Sequence, residues 1–577
     1  MESSQRQAWM GTLGIVLAAA AALFLPSMLT GAPKAAAPAG GIQLPPGAEK
    51  AAKAIDRATL EAPLRFLSDD LLEGRGPASR GDETAQIYLA SMLELLGYQP
   101  GAPGGGWQQR FDLVGVKADP PKTWSFKAGG QAVGLKWWDE FIAASGVQQP
   151  TSTLKDAELV FVGYGIQAPE YHWDDFKGMD LKGKVLVMMN NDPDWDPNLF
   201  AGDRRLYYGR WTYKYESAAR RGAAGAIIIH TTPSAGYPWQ VVQTSWSGTQ
   251  FEIPAAGEPR VQVRAWTTED ATRKLFQAAG KDLSKLIEQA RSRDFKPVPL
   301  GITTSLTFNN EVSKTRTANV LGILPGSDPV LKNEVVVYTA HHDHLGVGQP
   351  DKNGDKIYNG AVDNASGCAT LVAIAKAFAA LPQRPRRSIV IAFVAGEEQG
   401  LLGSAYLAAH PPVPAGRIAA NINYDSANVL GRTRDVSEVG LGKSSLDAIE
   451  RAVAARQGRQ LKGDQFPDRG FFYRSDQFSF AKVGVPAIHP SAGTDFVGRP
   501  PGWGKEQAGE YEKHRYHQPS DEFDPKWNYE GMIEDAQLGF YTGLVVANST
   551  QMPTWNPGDE FEAVRKKSLA AVDRKGK

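Results

Sequence analysis

The stretch from Asn333 to Asp425 decides the fold: NEVVVYTA (333–340), ASGCATLVAIAKAFAAL (365–381), RRSIVIAFVAG (386–396), GLLGSAYLAAH (400–410) and AANINYD (419–425). The first, third and fifth segments read as short strands, the second and fourth as helices rich in small apolar residues. Strands alternating with helices at this spacing predict an α/β fold with a mostly parallel sheet covered on both faces. Ligands of such sheets gather beyond the carboxyl ends of the strands. His341 follows the first strand directly, Glu397 and Glu398 follow the second, Asp425 ends the third, and Asp363 lies in a Gly/Asn loop before the helix. With His517 further along, these oxygen and imidazole groups can hold two divalent ions around a shared carboxylate, which turns water into a nucleophile at neutral pH. The set points to a metal-dependent hydrolase.

Singly, each residue has a duller reading. Asp363 can cap its helix, a role worth about 1 kcal/mol. Glu397 and Glu398 can be solvated loop charges, and His517 an exposed turn residue. His342 and His344 read as packing or supporting groups rather than ligands. Only the whole set makes coincidence a poor account.

The rest of the chain narrows the field. At 577 residues it is too long for one ordinary core, so two or more domains are expected. Lysine plus arginine equal aspartate plus glutamate at 63 each, so no global field favours nucleic acid. The single cysteine, Cys368, excludes an internal disulfide and cysteine-rich metal sites, and its apolar surroundings make it a buried small hydrophobe. Arg6, the apolar run Trp9–Leu29 and an Ala/Pro/Gly-rich stretch to about Gly47 have the order of an export signal. The run also approaches the length of a bilayer span, which leaves an uncleaved membrane tether as the alternative.

Ala51 to Leu96 reads as helices, with Gly74-Arg75-Gly76 a plain interhelical loop in preference to an anion-binding turn. From about Asp156 to Arg264 the texture becomes short β-runs, which reads as an inserted domain, and TANVLGILPG begins a new strand. Asp351 to Asp355 reads as a hairpin turn rather than a calcium loop, because its glycine is misplaced. The basic segment from Arg565 to Lys577 reads as a solvated terminus.

Six segments together resemble peptidase family M28, in the branch with a protease-associated insert: AHHDHLG (340–346), GAVDNASG (360–367), GEEQGLLGS (396–404), NYDS (423–426), RSDQFSF (474–480) and YHQPSDE (516–522). RFLSDDLLEGRGPASRGDETA (65–85) is similar to that branch as well. The resemblance implies a zinc aminopeptidase fold, a mostly parallel mixed sheet flanked by helices, with a β-rich insert. It divides the chain into a leader and linker (1–47), an N-terminal helical part (48–150), the insert (151–300), the catalytic domain (301–550) and a tail (551–577).

The same resemblance implies two zinc ions and peptide substrates. His341 and Asp425 would hold one zinc, Glu398 and His517 the other, and Asp363 would bridge them. Glu397 would be the general base, Asp343 the carboxylate orienting His341, and Tyr516 the phenol that stabilises an oxyanion. The Asp363–Asn364 peptide is cis in similar proteins, and the family tyrosine of the first motif is His342 here. No HExxH occurs, so a single-helix zinc site is absent. The implied activity is that of an exported aminopeptidase. A carboxypeptidase on the same metal centre is the alternative, to be told apart by where Arg474 and Arg515 lie; an inactive receptor-like binding protein is a further one. The insert is expected to restrict entry to the catalytic mouth.

Overall fold

The computed structural model describes residues 42–575. The N-terminal apolar run lies outside them; among the described residues no helix is long and apolar enough to cross a membrane.

A single 15-stranded mixed sheet forms the backbone of the molecule. In the half that bears the metal-type residues, Val335–His341 lies between Ser388–Val394 and Ile418–Asn423 and is parallel to both. Ala487–Ile488 continues the sheet in parallel beyond Ile418–Asn423. All seven residues of Val335–His341 and of Ser388–Val394 are buried, as a strand covered on both faces requires. The expected α/β architecture is thus present, with its parallel centre where the alternation placed it.

One covering layer is the helix Ser366–Ala379, buried all round except at Lys376 and Ala379. An all-apolar helix of this kind is stable only inside a core. The helix Glu530–Asn548 packs against the same core and reaches the sheet unusually closely. Tyr338 donates its hydroxyl proton to the Gly539 carbonyl at 2.8 Å, and Tyr424 donates to that of Asp535 at 2.9 Å. A Cβ at Gly543 would stand 1.7 Å from the Tyr338 oxygen, so only glycine permits this approach.

The other half of the sheet is joined through Val298–Leu324, a 27-residue strand. Its Val320–Leu324 end pairs antiparallel with Ile389–Phe393, while its first part pairs with Thr151–Phe161. From there Val185–Met189, Gly225–His230 and Val263–Thr268 follow in parallel. The sequence reading starts this strand near Thr317; the structure starts it at Val298. Alternating threonines, serines and asparagines on its exposed face conceal the strand from a search for apolar runs. Thr123–Ala128, Gln131–Lys136 and Phe141–Ser145, which precede residue 151, belong to this half too.

Two peripheral readings change. Arg75 is fully buried rather than part of an open loop: it donates to the carbonyls of His342 at 2.7 Å, Asn359 at 2.6 Å and Gly360 at 3.0 Å. It thereby ties together the two loops that carry His341 and Asp363. The basic C-terminal segment forms the helix Glu562–Lys575, and Arg565 is buried, donating to the Ile418 carbonyl at 3.0 Å. A guanidinium with several main-chain carbonyls to meet is worth burying, which charge counting does not reveal.

Candidate metal centre

The loops after the three parallel strands converge as the strand ends require. His341 ends Val335–His341, Glu397 and Glu398 follow Ser388–Val394, and Asp425 follows Ile418–Asn423. Asp363 is 4% exposed and caps nothing; the helix behind it begins without a side-chain cap. The peptide from Asp363 to Asn364 is cis. Asp521 accepts hydrogen bonds from the main-chain N–H groups of Val362 at 3.1 Å and Asp363 at 3.0 Å, fixing the loop. His517 is buried as well, so the exposed-turn reading fails for it.

Asp363 sits between two imidazoles. Its Oδ1 lies 3.2 Å from His341 Nε2 and its Oδ2 lies 3.4 Å from His517 Nε2. Asp425 Oδ1 lies 3.2 Å from His341 Nε2, and Glu398 Oε2 lies 2.9 Å from His517 Nε2. Glu397 stays back, its nearest oxygen 4.0 Å from His341. The five ligands expected from the sequence are therefore brought together, with the sixth residue, Glu397, beside them.

The electrostatics are those of a crowded anionic pocket. Burial opposes the charge of Asp363, yet His341, His517 and His344 hold its carboxyl well below the usual carboxylate range. Burial opposes protonation of His517, but Glu398 and Asp363 outweigh it and raise the imidazole to about 9. His341 is raised well above its ordinary value by Asp425, Glu397 and Asp363, again against burial. Burial, with Asp425 and Glu398 nearby, pushes Glu397 well up.

Fit to a metal can be judged from the polar atoms left over. His517 Nε2 and Asp343 Oδ2 are buried without a hydrogen-bond partner, and Glu398 Oε1 has only His344 Nδ1 beside it, at 2.6 Å. His517 Nε2 lies 2.9 Å from Glu398 Oε2 and 3.4 Å from Asp363 Oδ2. Buried carboxylates in excess of imidazoles are costly unless cations neutralise them. His341, Asp363 and Asp425 form one triad of donors within 4.8 Å of one another; His344, Asp363 and Glu398 form another. A third triad joins His341, Glu397 and Glu398; the donor set suits divalent cations, and Asp363 is common to the first two triads.

Several supporting groups differ from expectation. His341 Nδ1 is met by the main-chain carbonyl of Asp343 at 3.2 Å, while the Asp343 carboxylate is 3.8 Å away and accepts from the Glu397 N–H at 3.2 Å. His344 comes within 2.6 Å of Glu398, closer than a packing role requires. His342 points away and pairs with buried Asp82 at 2.9 Å. Tyr516 accepts a hydrogen bond from Arg474 Nη2 at 3.1 Å, which leaves its own proton free to donate.

Ser245 was not legible in the sequence. It ends the helix Trp239–Ser245 in the other half of the sheet, and its Oγ lies 2.7 Å from His517 Nδ1. Accepting the Nδ1 proton fixes the tautomer whose Nε2 lone pair faces Asp363 and Glu398. Replacing Ser245 by alanine is expected to weaken zinc binding about 10–100-fold, with threonine restoring most of it. A competition titration with a chromogenic chelator checks this; unchanged affinity would remove the role.

A buried cluster of carboxylates and imidazoles at the carboxyl ends of parallel strands marks the class of a metal-dependent hydrolase. Residues 319–540 match the family model of peptidase family M28, and every residue of the cluster from His341 to His517 lies inside that match. Aminopeptidase NAALADL1 of Rattus norvegicus is 34% identical over 283 residues, 40% of this chain and 34% of that protein. A probable zinc metalloprotease of Leptosphaeria maculans is 41% identical over 93 residues, 16% of this chain and 20% of that one. The chain thus spans about a fifth to a third of the length of these relatives. Among solved structures, an aminopeptidase from Aneurinibacillus sp. strain AM-1 aligns over 88% of this chain and 97% of its own, at 18% identity and a TM-score of 0.49.

Proposed function

We propose that the chain is an exported dinuclear zinc aminopeptidase that removes N-terminal residues from peptides. The observation that carries this reading is Asp363, whose two oxygens face two different imidazoles while the nearest Glu397 oxygen stays 4.0 Å from His341. The family match over residues 319–540 and the aminopeptidase among the relatives support the substrate class.

Two zinc ions held by His341, Asp425, Asp363, Glu398 and His517 would supply a low-pKa water and Lewis-acid polarisation of the scissile carbonyl. Glu397 takes the water proton and returns it to the leaving amine, a role its freedom from other partners allows. The Tyr516 phenol, held by Arg474, donates to the oxygen on which negative charge grows. Ser245 and the main-chain carbonyl of Asp343 keep the two imidazoles aimed.

Residues 151–300 act as a protease-associated insert that narrows the mouth. Support comes from Trp246 and Arg210, which line a cavity together with Glu397 and His517. Arg474 lines both this cavity and a second one beyond Asp425, and Arg515 lines only the second. With aminoacyl reporters and their N-acetylated counterparts, the free-amine forms are expected to be cleaved at least about tenfold faster, by a sample holding about two zinc ions per chain. Preferential cleavage of the acetylated forms would replace the aminopeptidase reading by the carboxypeptidase one.

A further inference from the structure

The larger of the two cavities beside the metal-type cluster, about 610 Å³, opens beyond Asp425 and is lined by Val362, Val429, Phe466, Phe471 and Tyr511. Its apolar walls suit an uncharged side chain, which under the aminopeptidase reading is that of the N-terminal residue. The lining also touches the ligand-bearing segments: Asp425 is part of it, and Val362 directly precedes Asp363.

One wall is the helix Trp503–His514, through Gly504, Gln507, Ala508 and Tyr511. Of its twelve residues only Gly504 is buried, and the helix begins without a side-chain cap. Gly502 just before it has a φ of +87°, with no atom within 4 Å of where a Cβ would stand. Ties to the rest of the molecule sit near the two ends: the Trp503 ring meets Phe496 edge-on at 5.0 Å, Glu512 pairs with Arg469, and the Lys513 carbonyl accepts from Gln240. A helix with so little buried surface shifts at low cost, so what fills the cavity beside it bears on where it lies.

Tyr511 carries that position to the metal-type cluster by two routes. Its hydroxyl donates to Asp521 Oδ2 at 3.2 Å, and the same oxygen accepts the main-chain N–H groups of Val362 at 3.1 Å and Asp363 at 3.0 Å. Its carbonyl accepts from the N–H groups of Arg515 at 2.8 Å and Tyr516 at 2.9 Å, at the start of the segment that leads to His517. Burial, with Asp521 beside it, pushes the Tyr511 hydroxyl well up, so the group stays a donor. Three donors on one oxygen compete for its lone pairs, so a shift of Tyr511 alters how firmly the Asp363 loop is held.

We propose that Tyr511 is a positioning residue that couples the larger cavity to the metal centre: an apolar N-terminal side chain seated against the helix Trp503–His514 sets the Tyr511–Asp521 hydrogen bond, and with it the hold on Asp363 and Tyr516. This rests on the aminopeptidase reading for which side chain fills the cavity. Coupling of this kind is reciprocal, so a side chain that favours the ordered ligand set also tightens its hold on a cation.

The coupling is read as the zinc affinity of the full chain, by competition with a chromogenic chelator, at saturating glycine and at saturating L-leucine, corrected for zinc held by the free amino acid. Both amino acids present the same amine and carboxylate to a metal and differ only in the side chain. Leucine is expected to tighten zinc binding about 3–10-fold more than glycine does, the worth of one hydrogen bond. Tyr511→Phe keeps the ring and lacks the hydroxyl, and it is expected to bring that ratio to near one. In turnover by the same variant, the kcat advantage of leucyl over glycyl p-nitroanilide is expected to shrink by about the same 3–10-fold, with little change in KM. A wild-type ratio of one overturns the proposal. So does a ratio that Tyr511→Phe leaves intact, even where zinc affinity falls equally with both amino acids. Cleavage confined to amino-blocked reporters contradicts the aminopeptidase reading, and the zinc ratio then decides the coupling by itself.

Discussion

Replacing Glu397 by glutamine is expected to lower kcat/KM about 10²–10⁴-fold while leaving zinc content unchanged. Glutamine preserves the shape of the side chain and its main-chain contacts, but it cannot accept a proton. Glu397 is the one carboxyl of the cluster that stays 4.0 Å from the nearest imidazole, whereas Asp363, Asp425 and Glu398 approach to 2.6–3.2 Å. The same substitution at Glu398 therefore has a different signature: it removes a group aimed at His517 and reduces both turnover and bound zinc. Metal analysis beside steady-state kinetics distinguishes the two. Full activity in Glu397→Gln would remove Glu397 from the role of base, and loss of zinc in that variant would move Glu397 into the ligand set.

How much of this was legible in the sequence depends on where each residue comes from. His341, Glu397, Glu398 and Asp425 stand at the ends of apolar strands, so strand alternation alone brings them to one mouth. Asp363 is legible as a loop residue, but its placement between two imidazoles depends on Asp521 and Arg75 holding its loop. Asp521 stands in the same short motif as His517, which is the signal in the sequence for its role. Ser245 and Arg210 carry no local pattern. They reach the centre only because the Val298–Leu324 strand fuses both halves into one sheet, a register that periodicity does not encode. The exchange of the Asp343 carboxylate for its carbonyl at His341 is of the same kind: the residue is legible, the atom is not.

Zinc binding is expected to strengthen steeply with pH up to about 9. In the cation-free chain His517 holds its proton up to about 9 and His341 is raised well above the ordinary imidazole range, so a cation must expel protons to bind. Each displaced proton steepens the apparent affinity about tenfold per pH unit. The sign for the metal-free fold is opposite. A folded imidazole pKa raised above the unfolded value of about 6.5 stabilises fully below that value, and the contribution is lost as pH rises through about 9. Chelated protein therefore loses stability over the window in which the zinc-loaded form gains it, since binding at a thousandfold excess over Kd adds about 4 kcal/mol. The gap in Tm between zinc-loaded and EDTA-treated samples should widen from pH 6.5 to 9. A gap that stays constant across this range would mean that His341 and His517 are not the groups the metal displaces protons from, and that the ligand set built around Asp363 is wrong.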